Sequence, residues 1–106
     1  MIINVLRIIT TMFLFVVLGL LVYADETQEQ QVERLIKLLQ GQNGDVRKNA
    51  ASTLGSIGEG AINAVPALIQ LLQDQDRWVR INVTLALRRI GTPEALKAVK
   101  EYHSRK

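Results

Sequence analysis

The side chains that most often serve acid–base catalysis form no catalytic pattern in this chain. Its one histidine, His103, lies in the run Tyr-His-Ser-Arg-Lys at the end of the sequence. Glu29 and Glu33 share a face of a predicted helix, and that face is polar. A carboxylate becomes a general acid or base where a cleft shifts its pKa, so we interpret these two as solvated charges.

Signatures of other chemistry are also missing from the sequence. It has no nucleophile elbow, no glycine-rich phosphate loop and no pair of metal ligands at helical spacing. The absence of cysteine excludes disulfides, thiolate chemistry and cysteine-ligated zinc within the chain. Asn82-Val83-Thr84 matches the glycosylation pattern, but it falls inside a predicted helix that must pack, so we interpret the match as coincidence. The sequence therefore predicts no enzyme activity, cofactor or metal site.

Charge is distributed unevenly along the chain. Residues 25–76 carry four basic and eight acidic side chains, a net of −4, whereas residues 77–106 carry eight basic and two acidic ones, a net of +6. The basic cluster is Arg77, Arg80, Arg88, Arg89, Lys97, Lys100, Arg105 and Lys106. Such a cluster either solvates the helix faces or binds an acidic protein, anionic lipid or acidic polysaccharide.

The segment 1–24 has the pattern of an export signal. From Ile8 to Ala24 the sequence has no charge; Arg7 precedes this stretch and Asp25 follows it. Val22 and Ala24 suit the −3 and −1 positions of a signal peptidase site, which predicts cleavage between Ala24 and Asp25. The alternative is an uncleaved membrane anchor, because the apolar stretch is at the lower limit for spanning a bilayer. Both interpretations place the rest of the chain in the periplasm or otherwise outside the membrane, where nucleic acid is not an expected partner.

Residues 25–106 are predicted to form one domain of duplicated sequence. The segments 32–58 and 65–91 align without a gap, and 13 of the 27 positions are identical. Apolar residues recur at helical spacing in both units. We expect helices at about 26–40, 44–57, 61–73, 76–90 and 93–103, in repeats at about 27–58 and 60–91. Pro66 implies that the third helix is kinked early or begins later than Ala61.

Residues that begin and end helices stand between these apolar runs. Asn43 and Asp76 are predicted helix caps, and Gly58 and Gly91 are predicted to end the second helix of each repeat. Thr92-Pro93-Glu94 places a capping hydroxyl, a first-turn proline and an acid where a last helix would begin. Short connections make consecutive helices antiparallel, so the helical pairs are expected to stack.

Several short motifs recur in register in the two units. They are Val-Arg at 46–47 and 79–80, Asn49 and Asn82, the Asp-x-Asp turn at 74–76, Leu-Gly-x-Ile-Gly at 54–58 and its looser copy at 87–91. Together they resemble the HEAT-repeat superfamily, in particular its PBS-lyase HEAT-like variety. The resemblance implies an all-α fold, a short right-handed α-α superhelix of about two helical-hairpin repeats with a C-terminal capping helix. It also implies a scaffold that binds protein.

The same resemblance implies structural roles for the recurring polar residues. In such families, aspartate and arginine at the positions of Asp74, Arg47 and Arg80 form a ladder between neighbouring repeats. The first repeat has a glycine where the second has Asp74, so Arg47 is expected to pair with Asp74 of the next repeat. Asn49 and Asn82 are expected to cap carbonyls and cross-link helices.

One difference between the two repeats points to a partner. Where the first repeat has Asp45, Lys48 and Ser52, the second has tryptophan, isoleucine and leucine, at i, i+3 and i+7. The predicted partner-binding residues are Trp78, Ile81, Leu85, Arg88 and Arg89, because aromatic and arginine side chains anchor many interfaces. The alternative is that the last helix folds over this apolar face.

The function predicted from the sequence is an exported, non-enzymatic protein–protein interaction module. Two repeats are few for a solenoid, which favours a small adaptor, a homodimer or docking onto a larger repeat protein. The alternatives are a phycobilin-lyase-like chaperone or lyase component, and a membrane-anchored domain that contacts lipid.

Overall fold

A computed structural model describes residues 2–24 and 26–105, and in this part of the chain no strand occurs. The helices are α1 (Ile2–Ala24), α2 (Gln28–Leu38), α3 (Gly44–Ile57), α4 (Val65–Gln70), α5 (Arg77–Ile90) and α6 (Pro93–Ser104). Two 3-10 segments, Gly58–Ala64 and Leu71–Gln73, flank α4. The first repeat is α2 with α3, the second is α4 with α5, and α6 follows as a cap. The all-α solenoid predicted from the sequence is confirmed.

Helix α1 contains the predicted leader. Its apolar side chains from Ile2 to Leu18 are exposed, apart from the half-buried Val17. Within the described residues, no helix is both long enough and apolar enough to cross a bilayer. The predicted cleavage position between Ala24 and Asp25 includes a residue outside the described ones, so the leader stays a prediction.

The two helices that follow tight turns begin where the sequence places their caps. Asn43 Oδ1 accepts a hydrogen bond from the Asp45 N–H at 2.8 Å. In the second repeat, Asp76 Oδ1 accepts from the N–H groups of Trp78 at 2.8 Å and Val79 at 3.4 Å. A capping side chain satisfies N–H groups that have no carbonyl partner within the helix. Both predicted caps are confirmed.

The ends of these helices are confirmed as well. Gly58 and Gly91 have φ values of 70° and 71°, a backbone conformation in which a Cβ would be strained. Thr92 Oγ1 then accepts the Ala95 N–H at 3.2 Å, with Pro93 in the first turn of α6. Each α-helix ends at its glycine because a residue with positive φ cannot continue a right-handed helix.

The third helix is shorter than the predicted range, and the late start that Pro66 implied is confirmed. The sequence predicts it over 61–73, but the α-helical part covers only Val65–Gln70, between the two 3-10 segments. Pro66 lies in its first turn, where the missing N–H costs nothing. Ala61 has φ −102° and ψ 23°, so the backbone bends before the proline and regular hydrogen bonding starts late.

Helix α2 also starts later than the predicted residue 26. Thr27 Oγ1 accepts the Gln30 N–H and Gln30 Oε1 accepts the Thr27 N–H, both at 3.1 Å. This reciprocal pair is a capping box, which fixes the first turn. The spacing of Thr27 and Gln30 could have shown the start at Gln28.

The core consists of the apolar stripes of all five helices that follow α1. The larger buried side chains are Val32, Leu35, Leu39, Leu54, Val65, Leu68, Leu72, Val79, Val83, Leu87, Ile90 and Val99. Val46, expected in the stripe of α3, is instead exposed, because it lies in the first turn beside the loop. Burial of these core side chains supplies the main driving force for stacking.

Helix α5 packs most extensively against α3, its counterpart in the first repeat. The two backbones approach closely at Gly55, where a Cβ would lie 2.9 Å from Ala86 Cα and 3.2 Å from Ala86 Cβ. A glycine is required there because any side chain would meet backbone atoms that cannot turn away.

Gly55→Ala should therefore destabilise the domain. Forcing a methyl group into this contact costs about 1–3 kcal/mol of the free energy of unfolding, measured by urea denaturation followed by circular dichroism. Ser56→Ala, on the exposed side of the same turn, is the control and should change it by less than about 0.5 kcal/mol. Equal stability of the two variants would contradict the close packing of α3 on α5.

Candidate interaction surface on the second repeat

The three predicted apolar contact residues lie on the outer side of α5. Trp78 is 63% exposed, Ile81 37% and Leu85 43%, and their spacing places them on one helix face. Arg88 and Arg89 are also exposed on α5. The last helix does not cover Trp78, and it leaves Ile81 and Leu85 partly exposed beside Tyr102.

Helix α6 packs beside this face instead of over it. Ala95 and Val99 are buried against the rest of the domain, and Tyr102 is half-buried. Leu96, on the other side of α6, is 47% exposed. Because the buried stripe of α6 faces both α4 and α5, the helix caps the end of the core and leaves the outer side of α5 open.

A groove of about 300 Å³ runs between α5 and α6. It is lined by Arg77, Arg80, Ile81, Thr84, Leu85, Arg88, Tyr102 and His103. No lining residue is acidic, so the groove combines apolar walls with guanidinium groups. Trp78 and Arg89 are exposed on the same helix but do not line it.

Arg47 joins the two repeats through a bidentate ion pair. Its Nε and Nη2 donate to the Asp74 carboxylate at 2.9 and 3.1 Å, and the two side chains are 9% and 7% exposed. Arg47 Nη1 donates to the carbonyls of Gly41 at 2.8 Å and Gln42 at 2.9 Å. One guanidinium therefore links the loop of the first repeat to the loop of the second, where the repeat pattern places it.

The surroundings of Asp74 keep it ionised. Burial opposes its charged form, but hydrogen bonds from Arg47 and from the Asp76 N–H outweigh that effect, and the charges of Arg47 and Arg80 add to them. The pKa of Asp74 is therefore lower than that of an ordinary aspartate. The carboxylate stabilises the folded state wherever it is ionised and paired.

Arg80 occupies the equivalent position in the second repeat. Its Nη1 donates to the Asp74 carbonyl at 2.6 Å, which matches the contact of Arg47 with the Gly41 carbonyl. Among the described residues, no carboxylate forms an ion pair with Arg80. Half-buried on the groove, it keeps the loop contact of the ladder and lacks the carboxylate.

The two asparagines do not cross-link helices as predicted. Asn82 Nδ2 donates to the Trp78 carbonyl at 2.9 Å, a contact within its own helix. The Asn49 side chain is exposed and its amide makes no hydrogen bond within the described chain. The Asn82 bond is local because Trp78 and Asn82 lie one turn apart on the same helix face. A residue that recurs in both repeats does not show whether it bonds within its helix or between helices.

The residues considered for catalysis do not converge. Glu29 and Glu33 are exposed on α2. His103 Nδ1 lies 3.0 Å from the Val99 carbonyl, one turn earlier in α6, and its ring contacts that of Tyr102 edge-on at 5.5 Å. Among the described residues, no group of three metal-ligating side chains occurs.

Comparison with known proteins identifies the architecture. A family model described as HEAT repeats matches residues 30–105, the span of both repeats and the cap. The chain belongs to the HEAT-repeat family. No curated protein and no solved structure matches it. HEAT repeats generally mediate protein–protein interaction and generally act as non-enzymatic scaffolds.

Thr84, Tyr102 and His103 line the groove and were not predicted as contact residues, whereas Ile81, Leu85 and Arg88 were. Thr84 aligns with Ala51, and Arg88 with Gly55, positions at which the first repeat is buried beside the second. A change from small to large or charged side chains at an inter-repeat position indicates that the face is open. His103 and Tyr102 come from the next helix, and the repeat alignment does not reach them.

The Asp74–Arg47 pair predicts acid sensitivity. Because the folded pKa of Asp74 is depressed, its contribution is present above the ordinary aspartate pKa, about 3.9, and is lost as the pH falls through the folded value. Asp74→Asn should lower Tm by at least about 5 °C at pH 7, and this difference should shrink at pH 3. The control Asp45→Asn removes an exposed carboxylate and should have little effect at either pH. A deficit in Asp74→Asn that is equal at both pH values would contradict the ion pair.

Proposed function

We propose that this chain is an exported, non-enzymatic adaptor that binds a protein partner through α5 and the adjoining end of α6. The binding surface comprises Trp78, Ile81, Leu85, Arg88 and Arg89. The observation that carries the proposal is the exposed apolar face of α5. Tryptophan and arginine are among the residues that contribute most to binding at protein interfaces.

The first repeat serves as an internal reference for this surface. Its equivalents of Trp78, Ile81 and Leu85 are Asp45, Lys48 and Ser52, so the fold does not require apolar residues at these positions. An apolar side chain exposed to water gains free energy when a partner covers it. The replacement of three polar residues by three apolar ones therefore supports a role outside the domain's own folding.

The proposed location rests on the segment that precedes Asp25. A positive residue, a long uncharged stretch and small residues at the predicted cleavage position are typical of a secretory signal. If the leader is cleaved the domain is free in the periplasm; if it is kept, the domain is tethered to the membrane. Either outcome leaves α5 and α6 available to envelope proteins.

The finer family assignment is also a proposal. The paired Val-Arg and Asn positions, with the Asp-x-Asp turn at 74–76, favour the PBS-lyase HEAT-like subtype. A bilin-handling function rests on that likeness alone, since the described residues form no chromophore site that we can name. We therefore propose the adaptor function and not the lyase function.

Site-specific photo-crosslinking in the full chain tests the adaptor function. A benzophenone amino acid placed at Trp78 in living cells should give a discrete protein adduct. The same group at Asp45, the equivalent and also exposed position of the first repeat, should not, because that face of α3 is polar. Adduct formation is measured by immunoblot and the partner is identified by mass spectrometry.

Leu85→Ala in the chain labelled at Trp78 separates binding from folding. The adduct yield should fall severalfold while the unfolding free energy changes by less than about 1 kcal/mol, because Leu85 is half-exposed. Ile62→Ala removes a comparably exposed side chain from the 3-10 segment before α4 and should leave the adduct unchanged. Equal adducts at Trp78 and Asp45 would overturn the proposed surface.

A further inference from the structure

The guanidinium of Arg80 has an open side that its counterpart fills. Arg47 uses Nη1 for loop carbonyls and the pair Nε and Nη2 for a carboxylate. Arg80 uses Nη1 for the equivalent loop carbonyl, and within the described residues the donors that would hold a carboxylate have none. The planar fork of arginine suits two-point binding of a carboxylate. The half-used fork of Arg80 is therefore oriented by its loop contact before any partner binds.

The groove lies where another helix would stack on α5. On α3, the positions that face the second repeat include Arg47, next to Asp74, and Gly55, next to Ala86. Their counterparts on α5 are Arg80 and Arg88, and both line the groove. On α3, this face packs against α5. The equivalent face of α5 lines the groove, and α6 borders the groove on one side.

The side chains in the groove define the chemistry of its occupant. Three arginines and no acid line it, so the charge that complements it is negative. Ile81 and Leu85 add an apolar wall. Arg88 stands where α3 has Gly55, and so large a side chain prevents the close backbone approach seen between α3 and α5. An occupant would contact the groove through its own side chains.

The loop of a second copy that corresponds to the Asp74 loop does not supply a carboxylate for Arg80. The carboxylate that pairs with Arg47 comes from Asp74, in the loop before α5. The corresponding loop of the first repeat has Gly41, and Asp74 is already occupied by Arg47. A partner that forms the equivalent ion pair with Arg80 must therefore supply its own carboxylate.

We propose that the α5–α6 groove binds an acidic amphipathic helix of a partner protein, whose leading carboxylate pairs with the open side of Arg80 as Asp74 pairs with Arg47. The apolar side chains of that helix pack on Ile81 and Leu85. This inference rests on the proposed adaptor function and names the chemistry of its partner. It assigns Arg80 a binding role in addition to its loop contact.

A defined peptide tests the groove directly on the full chain in detergent micelles. The probe is a labelled, capped peptide of about 16 residues, long enough for partial helicity. It begins with Asp-Gln-Asp and continues as an amphipathic helix with leucine on one face and glutamate on the other. Its counterpart has asparagine and glutamine in place of every acid. Fluorescence anisotropy should show binding of the acidic peptide and none of the amide peptide.

Three variants assign that binding to Arg80. Arg80→Gln should weaken it at least about tenfold, since one partner of a partly buried charge pair is lost. Arg80→Lys should restore it in part, because it returns the charge and not the fork. Lys97→Gln removes the same charge from an exposed position outside the groove and should leave affinity within about twofold. Equal effects of Arg80→Gln and Lys97→Gln would overturn the proposal.

Further measurements test lipid or a second copy as the occupant of the groove, and a replacement variant is used if Arg80→Gln is destabilised. Arg80-dependent sedimentation with phosphatidylglycerol vesicles, without peptide binding, would assign the groove to lipid and overturn the proposal. An adduct at Trp78 with twice the chain's mass would assign the face to a second copy and do the same. If Arg80→Gln lowers Tm, Arg88→Gln replaces it, because the Arg88 side chain makes no hydrogen bond or ion pair among the described residues.

The peptide and crosslinking results separate the inference from the proposed function. An adduct at Trp78 with no Arg80-dependent peptide binding would leave the adaptor function and remove the acidic-helix partner. Peptide binding that depends on Arg80, with equal adducts at Trp78 and Asp45, would keep the groove and remove the proposed surface.

Discussion

The ion pair between Arg47 and Asp74 fixes how the two repeats sit against each other. Apolar stripes drive the repeats together, but burial of apolar area is not directional and allows neighbouring helices to slide. A buried bidentate pair tolerates little displacement, because loss of either hydrogen bond leaves charge uncompensated in a poorly solvated site. Arg47 also holds the carbonyls of Gly41 and Gln42, so the loop, the helix and the next repeat share one point of attachment.

The open surface of the second repeat follows from the same geometry. Each repeat unit has a face suited to the repeat before it and a face suited to the one after it. On α3 the second of these faces is covered by α5; on α5 it is bordered by α6 and otherwise exposed to water. Arg88 on α5 stands where α3 has Gly55, at its close contact with Ala86. Ile81 and Leu85 stand where α3 has the half-buried Lys48 and the exposed Ser52. A structural arginine becomes available for binding when its aspartate is absent, so Arg80 connects the stability of the solenoid to its proposed function.

Sequence periodicity predicted much of the fold because it reports burial and local capping. The internal duplication located both hairpins, and the positions of Asn43, Asp76, Gly58 and Gly91 marked ends that depend only on nearby backbone groups. Pro66 indicated that the third helix is kinked or starts late, but the range 61–73 is too long because its apolar spacing continues through Ala61, where the backbone is non-helical. Periodicity cannot distinguish an α-helical turn from a tighter one.

The candidate site was predictable in part. The apolar residues of α5 were evident because the first repeat supplied a polar reference at the same positions. The groove was not, since its second wall comes from α6, whose packing angle depends on how Ala95 and Val99 fit the end of the core. The cross-linking predicted for Asn49 and Asn82 is wrong because a repeated position shows only that a residue recurs. Asn82 does bond a carbonyl, but within its own helix.

Hydroxyl-radical footprinting of the full chain in intact cells and after purification tests the central claim, that the outer side of α5 is an interface. Trp78 and Leu85 are exposed in the isolated domain, and Ile62 is comparably exposed on another face. We expect oxidation of Trp78 and Leu85 to fall severalfold in cells relative to the purified chain, with Ile62 unchanged. Oxidation of Trp78 in cells at its purified rate, scaled to Ile62, would contradict the claim.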